Sequence, residues 1–271
     1  MIMKNWIYTE MLFCDEENAA DICEYEEMLS LVKEFIESAE DAVECKRTME
    51  WNTKEGVCFK FAEAIIRYAK IAYDNIILGH FSAAFMVIRS MVENNVCLEI
   101  LFKDEKRELW KYYVAQSVRD SLSKAKKVLS EEDEKMLHDV YREYGIRREF
   151  YEPQSEKREK GKAKKNRAYI DLPYGWTYMI NNKFTFRGLC DLVDKRSYAD
   201  FSMMSEYSHG TSWRQKLDRN NFVEHIMNMF SGIYAVLYRM VKVYCSEYTD
   251  DFFEELVEII GNDILEKLEW F

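Results

Sequence analysis

The sequence predicts an all-α fold, a single-domain helical bundle of seven to nine helices with a basic loop insertion. Its 271 residues include only 9 Gly and 2 Pro, so there are few sites for tight turns. Apolar residues recur at the three- to four-residue spacing of amphipathic helices, and no stretch alternates as a strand does. With 48% hydrophobic residues, the chain is too apolar to be disordered.

Nine stretches carry this helical periodicity. Ser130, with acidic residues at the next three positions, predicts the start of the fifth helix. Gly79 and Gly210 predict the ends of the second and seventh. In chain order the predicted helices span 15–51, 54–78, 81–102, 105–129, 130–144, 187–195, 198–209, 220–246 and 250–268.

The pattern breaks between 145 and 185. This divides the predicted single domain, 1–271, into N-terminal helices (1–144), a basic loop with an ordered connection (145–185) and C-terminal helices (186–271). Residues 142–167 hold ten basic and five acidic side chains, a net charge of +5, whereas the whole chain carries −11.

Such a basic segment is either a solvated loop or a contact for nucleic acid, because cationic side chains attract phosphate. Four aromatic residues flank it as stacking partners for bases: Tyr151, Tyr169, Tyr174 and Trp176. Under the second interpretation, RNA would contact Lys157, Arg158, Lys160, Lys162, Lys164, Lys165 and Arg167.

Composition also predicts the compartment. The chain has seven cysteines, an odd number, and no two of them have CxxC spacing. Both facts favour reduced thiols in the cytoplasm over a disulfide framework. Charged residues interrupt every long apolar stretch, so we expect neither a secretory signal nor a membrane-spanning helix. We therefore predict a cytoplasmic protein that does not contact membranes.

The third predicted helix is the most informative. On an ideal helix Arg89 and Glu93 lie about 40° apart, on the stripe that also carries Phe85, Val96 and Ile100. Because the opposite side is apolar too, this helix belongs in the middle of the bundle, where a charge must be paired or hydrogen-bonded.

Two interpretations of Arg89 stay open. One is a structural ion pair with Glu93 that fixes how the helices register. The other is a polar pocket in which Arg89 binds an anionic group, with Glu93, Tyr207 and His209 as further ligand-binding residues.

A metal site is not predicted. Glu206 and His209 have the Glu-x-x-His spacing of di-iron helical bundles, but those proteins use the motif twice and add two more glutamates. Here it occurs once, so the sequence predicts no metal and no other cofactor.

Near the end of the chain, Arg219-Asn220-Asn221-Phe222-Val223-Glu224-His225 resembles the Arg-x(4–6)-His signature of the HEPN ribonucleases. The resemblance implies metal-independent RNA cleavage at a dimer interface. It assigns His225 as general acid or base, Arg219 as the group that stabilises charge on the phosphoryl oxygens, and Asn220 as the polar residue after the arginine.

A second resemblance involves residues 73–103, YDNIILGHFSAAFMVIRSMVENNVCLEILFK, and the later Tyr207-Ser208-His209. They resemble a widespread family of uncharacterised all-helical bacterial proteins whose central helix reads Arg-Ser-x-x-Glu. Arg89, Glu93 and His209 match its polar positions. Members of this kind occur among phage-defence genes.

Together these resemblances imply a homodimeric, HEPN-like endoribonuclease or nucleic-acid-directed effector in anti-phage defence. The alternative expectation is a non-enzymatic helical module that binds a small anionic ligand, or a partner protein, through the Arg89 pocket.

Overall fold

The computed structural model of the chain describes residues 25–48, 50, 52–125, 129–153, 167–208 and 222–268. Within these ranges every regular element is helical, which confirms the all-α prediction. Nine helices have eight or more residues, and the helix Arg148–Tyr151 adds a single turn. In order they are α1 (Glu26–Glu44), α2 (Lys54–Ile77), α3 (Phe81–Lys103), α4 (Leu109–Ala125), α5 (Glu131–Glu143), α6 (Arg148–Tyr151), α7 (Phe186–Val193), α8 (Arg196–Ser208), α9 (Phe222–Tyr244) and α10 (Asp251–Leu268).

Two predicted boundaries are wrong within the described residues. The first helix ends at Glu44 rather than near 51, because the N–H groups of Cys45 and Lys46 close the last turn on the carbonyls of Asp41 and Val43. The fourth helix begins at Leu109 rather than near 105, because the carboxylate of Asp104 accepts the Leu109 N–H at 2.8 Å and caps the helix. Residues 15–24 lie outside the described ranges.

The chain divides into two compact units, each described here by itself. Unit 1 contains Met1–Met49, Cys58–Glu99 and Arg196–Phe271. Unit 2 contains Glu50–Val57 and Ile100–Lys195. The single domain with internal boundaries at 144 and 185 stays a prediction. No helix in the described ranges combines the length and the apolar content needed to cross a bilayer.

In unit 1, helices α1, α9 and α10 meet around the buried ring of Phe35. This α1 side chain lies 5.4 Å from the ring of Tyr234 on α9 and 5.1 Å from that of Phe253 on α10, measured between centroids. The Tyr234 hydroxyl donates to the carbonyl of Val257 at 3.1 Å. One aromatic residue from each helix thus forms the centre of this contact, where ring packing adds to the burial of apolar area.

Helices α3, α8 and α9 of unit 1 approach closely at Gly232. A Cβ at this α9 position would lie 2.9 Å from the Ile88 side chain on α3 and 2.9 Å from that of Met204 on α8. Real Cβ atoms do not come so close to other heavy atoms, so the absence of a side chain at Gly232 allows this packing. The charged side chains analysed below lie along the same three helices.

Unit 2 is organised by one buried amide, that of Gln116 on α4. Its Nε2 donates to the carbonyl of Leu172 at 2.7 Å, and its Oε1 accepts the backbone N–H of Trp176 at 2.8 Å. These bonds hold the connection after the basic segment, which contains 3₁₀ turns at Tyr169–Asp171 and Gly175–Thr177, against α4. The predicted ordered connection is therefore fixed by a polar clamp.

The same connection requires a glycine at position 175. A Cβ there would lie only 1.8 Å from the carbonyl oxygen of Tyr169, a backbone atom that no rotamer change can move away. Tyr174, just before it, already has the left-handed φ of 54°. The connection is therefore tightly constrained.

We expect Gly175→Ala to lower the free energy of unfolding by about 3 kcal/mol, since the backbone must shift to relieve the overlap. Urea denaturation followed by circular dichroism measures this. Gly145→Ala is the control: its φ is +62° but no atom lies within 4 Å of a new Cβ, so it should cost only about 1 kcal/mol of backbone strain. Equal costs for the two variants would contradict the steric explanation.

Candidate functional site

Helix α3 carries the predicted polar stripe, and its apolar members are buried as expected: Phe85, Val96 and Ile100. Arg89 and Glu93 are half-buried rather than fully enclosed. The stripe therefore reaches from the interior of unit 1 toward solvent. A group that approaches Arg89 does not have to cross the whole core.

Arg89 packs against α8. Its guanidinium carbon lies 4.4 Å from the centroid of the Phe201 ring, a cation–π contact, and its Nε is buried. The Phe201 carbonyl in turn accepts the hydroxyl of Ser205 at 2.6 Å. The contact with Phe201 covers one side of the guanidinium. Arginine N–H groups that remain accessible can bind carboxylates and phosphates in a bidentate manner.

A second charged group on α3 is more deeply buried. Glu99 is 3% exposed, and its Oε2 accepts the Nε–H of Arg239 on α9 at 2.7 Å. A terminal nitrogen of Arg239 also lies 3.3 Å from the hydroxyl of the buried Ser197 at the start of α8. This Glu99–Arg239–Ser197 cluster therefore joins α3, α8 and α9, the three helices that meet at Gly232.

The order of these contacts gives the helix directions. Gly232 on α9 lies against Ile88 of α3 and Met204 of α8. Arg239, seven residues later on α9, contacts Glu99, which is later on α3, and Ser197, which is earlier on α8. Locally, α3 and α9 thus run parallel and α8 runs antiparallel to both. The buried ion pair fixes this register, since a slip would leave a charge uncompensated in the core.

The sequence alone does not single out this ion pair. Glu99 and Arg239 are among the charged residues that interrupt the long apolar stretches. The position of Glu99 around the helix is the one signal for its burial. On an ideal helix Glu99 lies about −80° from Arg89, on a side that also carries the buried Ile88. That its partner is Arg239, 140 positions away, is not encoded in any local pattern.

Tyr207 and His209, the other residues predicted to line the Arg89 pocket, lie where the described residues end. Tyr207 belongs to α8, which ends at Ser208, but its side chain is outside the described part, and His209 is outside it entirely. Phe201, which contacts Arg89, precedes Tyr207 by six residues on the same helix. The convergence of Arg89, Glu93, Tyr207 and His209 stays a prediction.

The ribonuclease-like motif is described only in part. Arg219 and Asn220 are outside the described ranges, and His225 is described by its backbone alone. The described part of α9 begins at Phe222, so His225 lies in its first described turn. The juxtaposition of Arg219 and His225 stays a prediction.

Six residues of the predicted nucleic-acid contact lie outside the described residues: Lys157, Arg158, Lys160, Lys162, Lys164 and Lys165. Arg167, just after them, is exposed. Trp176 is 3% exposed, so the structure contradicts its predicted role as a stacking partner for bases; it packs edge-on against Tyr113 instead.

The flanking tyrosines pack on other rings. Tyr151 stacks on Tyr141 at 4.4 Å and Tyr169 on Tyr178 at 4.7 Å, while Tyr174 lies 6.3 Å from the ring of Phe186. Their main role in the structure is to pack unit 2. Burial of this aromatic cluster raises the pKa of Tyr141 to about 12, because the phenolate would be poorly solvated there.

Comparison with known families places the chain in one of them. Residues 56–223, more than half of the chain, match a family of unknown function, DUF5677. The chain belongs to that family. Neither the curated proteins nor the solved structures gave a significant match. The expectation of an uncharacterised family is thus confirmed.

The DUF5677 match encloses the Arg89 stripe, the end of α8 and the basic segment. It stops at residue 223, two positions before His225, so it contains Arg219 and Asn220 but not the histidine of the ribonuclease-like motif. Within the described part of this DUF5677 protein, no three His, Cys, Asp or Glu side chains are grouped to hold a metal ion.

We expect Glu99→Ala to lower the free energy of unfolding by about 3 kcal/mol, because it leaves the Arg239 guanidinium without its carboxylate in a largely buried position. Urea denaturation measures this loss. Asp139→Ala, which removes an exposed ion pair with Arg142, should cost less than about 1 kcal/mol. The double variant Glu99→Met/Arg239→Met should recover most of the stability, since apolar side chains of similar length replace both charges. A loss at Glu99→Ala no larger than at Asp139→Ala would contradict a structural ion pair.

Proposed function

We propose that this DUF5677 protein is a helical binding module that holds a small anionic group, a carboxylate or a phosphate, at Arg89. The observation that carries the proposal is the cation–π contact of the Arg89 guanidinium with Phe201, with its Nε buried. A guanidinium already held against a ring loses less conformational freedom when it binds an anion.

The remaining residues have supporting roles in this proposal. Glu93 lies one helical turn after Arg89, where its carboxylate would help to orient the guanidinium. Tyr207 and His209 supply hydrogen-bond donors from the end of α8. Because Arg89 is half-buried, an ion pair there is screened less than one on the open surface.

A second candidate, metal-independent RNA cleavage by a HEPN-like mechanism, rests on the Arg219–His225 motif. His225 lies in the first described turn of α9, which is described from Phe222 onward. In this candidate His225 transfers the proton and Arg219 and Asn220 contact the phosphoryl group, at the interface of a homodimer.

The anion proposal predicts that inorganic phosphate stabilises the full chain and that Arg89→Met abolishes this effect. A ligand at about ten times its Kd adds about 1.4 kcal/mol, a rise in Tm of about 3 °C. Scanning fluorimetry at constant ionic strength measures it.

Arg142→Met, at an exposed arginine in unit 2, is the matched control and should keep the full shift. Arg89→Lys should keep only part of it, since an ammonium does not bind in a bidentate manner. The proposal is wrong if neither phosphate nor a dicarboxylate stabilises the parent, or if Arg89→Met retains the parent's shift.

The ribonuclease candidate predicts that the purified protein cleaves a mixed-sequence single-stranded RNA in the presence of EDTA. His225→Ala should reduce the rate at least 100-fold, the contribution typical of general acid–base catalysis. His138→Ala, which changes an exposed histidine on α5, is the control and should cleave at the parent's rate. Equal rates for His225→Ala and the parent, at equal thermal stability, would exclude this candidate.

A further inference from the structure

An open groove of about 440 Å³ lies between α1 and the segment that leads into α10, within unit 1. Among the described residues, four carboxylates line it: Glu34, Glu37 and Asp41 on α1, and Asp250 before α10. No lysine or arginine is among the described residues that line it. The groove involves no residue of the Arg89 site.

The charges of this α1–α10 groove are only weakly compensated. Glu37 lies 3.9 Å from Lys33, but both side chains are more than half exposed, so their interaction is screened by water. Asp250 accepts the N–H of Phe253 at 2.8 Å and caps α10. Lys46, beside the groove, pairs with Glu247, so the lining carboxylates leave the groove with a net negative charge, which attracts cations.

Aromatic rings stand beside these carboxylates. Tyr248 is 42% exposed and Phe252 is 49% exposed, the largest exposed fraction among the large apolar side chains of the described residues. Both line the groove. An aromatic face next to a carboxylate is a favourable surface for an ammonium group, which combines a cation–π contact with an ion pair.

The chain already shows this chemistry with a lysine of its own. The Lys46 ammonium, just after α1, lies 5.2 Å from the centroid of Tyr248 and 5.3 Å from that of Tyr244. It also forms an ion pair with Glu247. The ring of Tyr248, which forms part of the groove wall, thus holds a lysine ammonium in the structure itself.

We propose that the α1–α10 groove docks a lysine-rich segment of a partner protein. One wall of the groove runs along α1 from Glu34 to Cys45, just after the helix, over eleven helical rises or about 16 Å, which matches about five residues of an extended peptide. Lysine side chains of the segment pair with Glu34, Glu37 and Asp41, and one of them lies against Phe252.

Fluorescence anisotropy of fluorescein-labelled hexalysine with the full chain, at low salt, tests this proposal. The groove variant is Glu34→Gln/Glu37→Gln/Asp41→Asn. The control is Glu132→Gln/Glu143→Gln/Asp139→Asn, which removes the same number of exposed carboxylates from α5. We expect at least tenfold weaker binding for the groove variant and less than a twofold change for the control.

A second variant, Phe252→Leu, keeps an apolar side chain at an exposed position but removes the aromatic ring. It should weaken binding threefold or more without changing the net charge, an effect that general electrostatic attraction does not produce. It also tests the groove if the triple variant fails to fold.

Three results would overturn the proposal. They are equal losses in the two triple variants, unchanged affinity in Phe252→Leu, and no binding of hexalysine by the parent. Displacement of the labelled peptide by spermine at a lower concentration than by unlabelled hexalysine would overturn the peptide as occupant in favour of a small polyamine.

Discussion

The structure depends above all on how charge is accommodated along α3. Glu99 lies in the buried C-terminal half of this helix, whereas Arg89 and Glu93 are half-buried. An isolated ion in the buried half costs several kcal/mol, so the charge of Glu99 constrains what packs against it. Arg239 pairs with Glu99 and so holds α9 in a fixed register against α3. Because Arg239 also contacts Ser197, the start of α8 is held in the same way.

Arg89 differs from Arg239 in its environment. Arg239 bonds to a carboxylate that is nearly inaccessible to water, whereas Arg89 contacts an aromatic ring and belongs to a stripe that reaches toward solvent. A guanidinium on an aromatic face contributes packing that an apolar side chain can replace. An arginine at position 89 is therefore better explained by a ligand that it binds. The proposed anion site depends on this difference between Arg89 and Arg239.

Local physics made most helices predictable. Periodicity gave the start of α2 and the extent of α3, and Ser130 caps α5 through Asp133 as its spacing indicates. The pairing of Glu99 with Arg239 and the burial of Trp176 were not predictable, because they depend on which helices become neighbours. The same holds for the α1–α10 groove. In the sequence, Glu34, Glu37 and Asp41 have the pattern of an ordinary solvated helix face, and only the fold brings Tyr248 and Phe252 beside them.

The most direct test of the account compares Arg239→Met with Arg89→Met by urea denaturation of the full chain. Arg239→Met leaves Glu99 uncompensated in the core and should lower the free energy of unfolding by about 3 kcal/mol. Arg89→Met should change it by less than about 1 kcal/mol, since a methionine also packs on Phe201. If Arg89→Met costs as much as Arg239→Met, both arginines are structural, and the division between a buried ion pair and an anion-binding arginine is wrong.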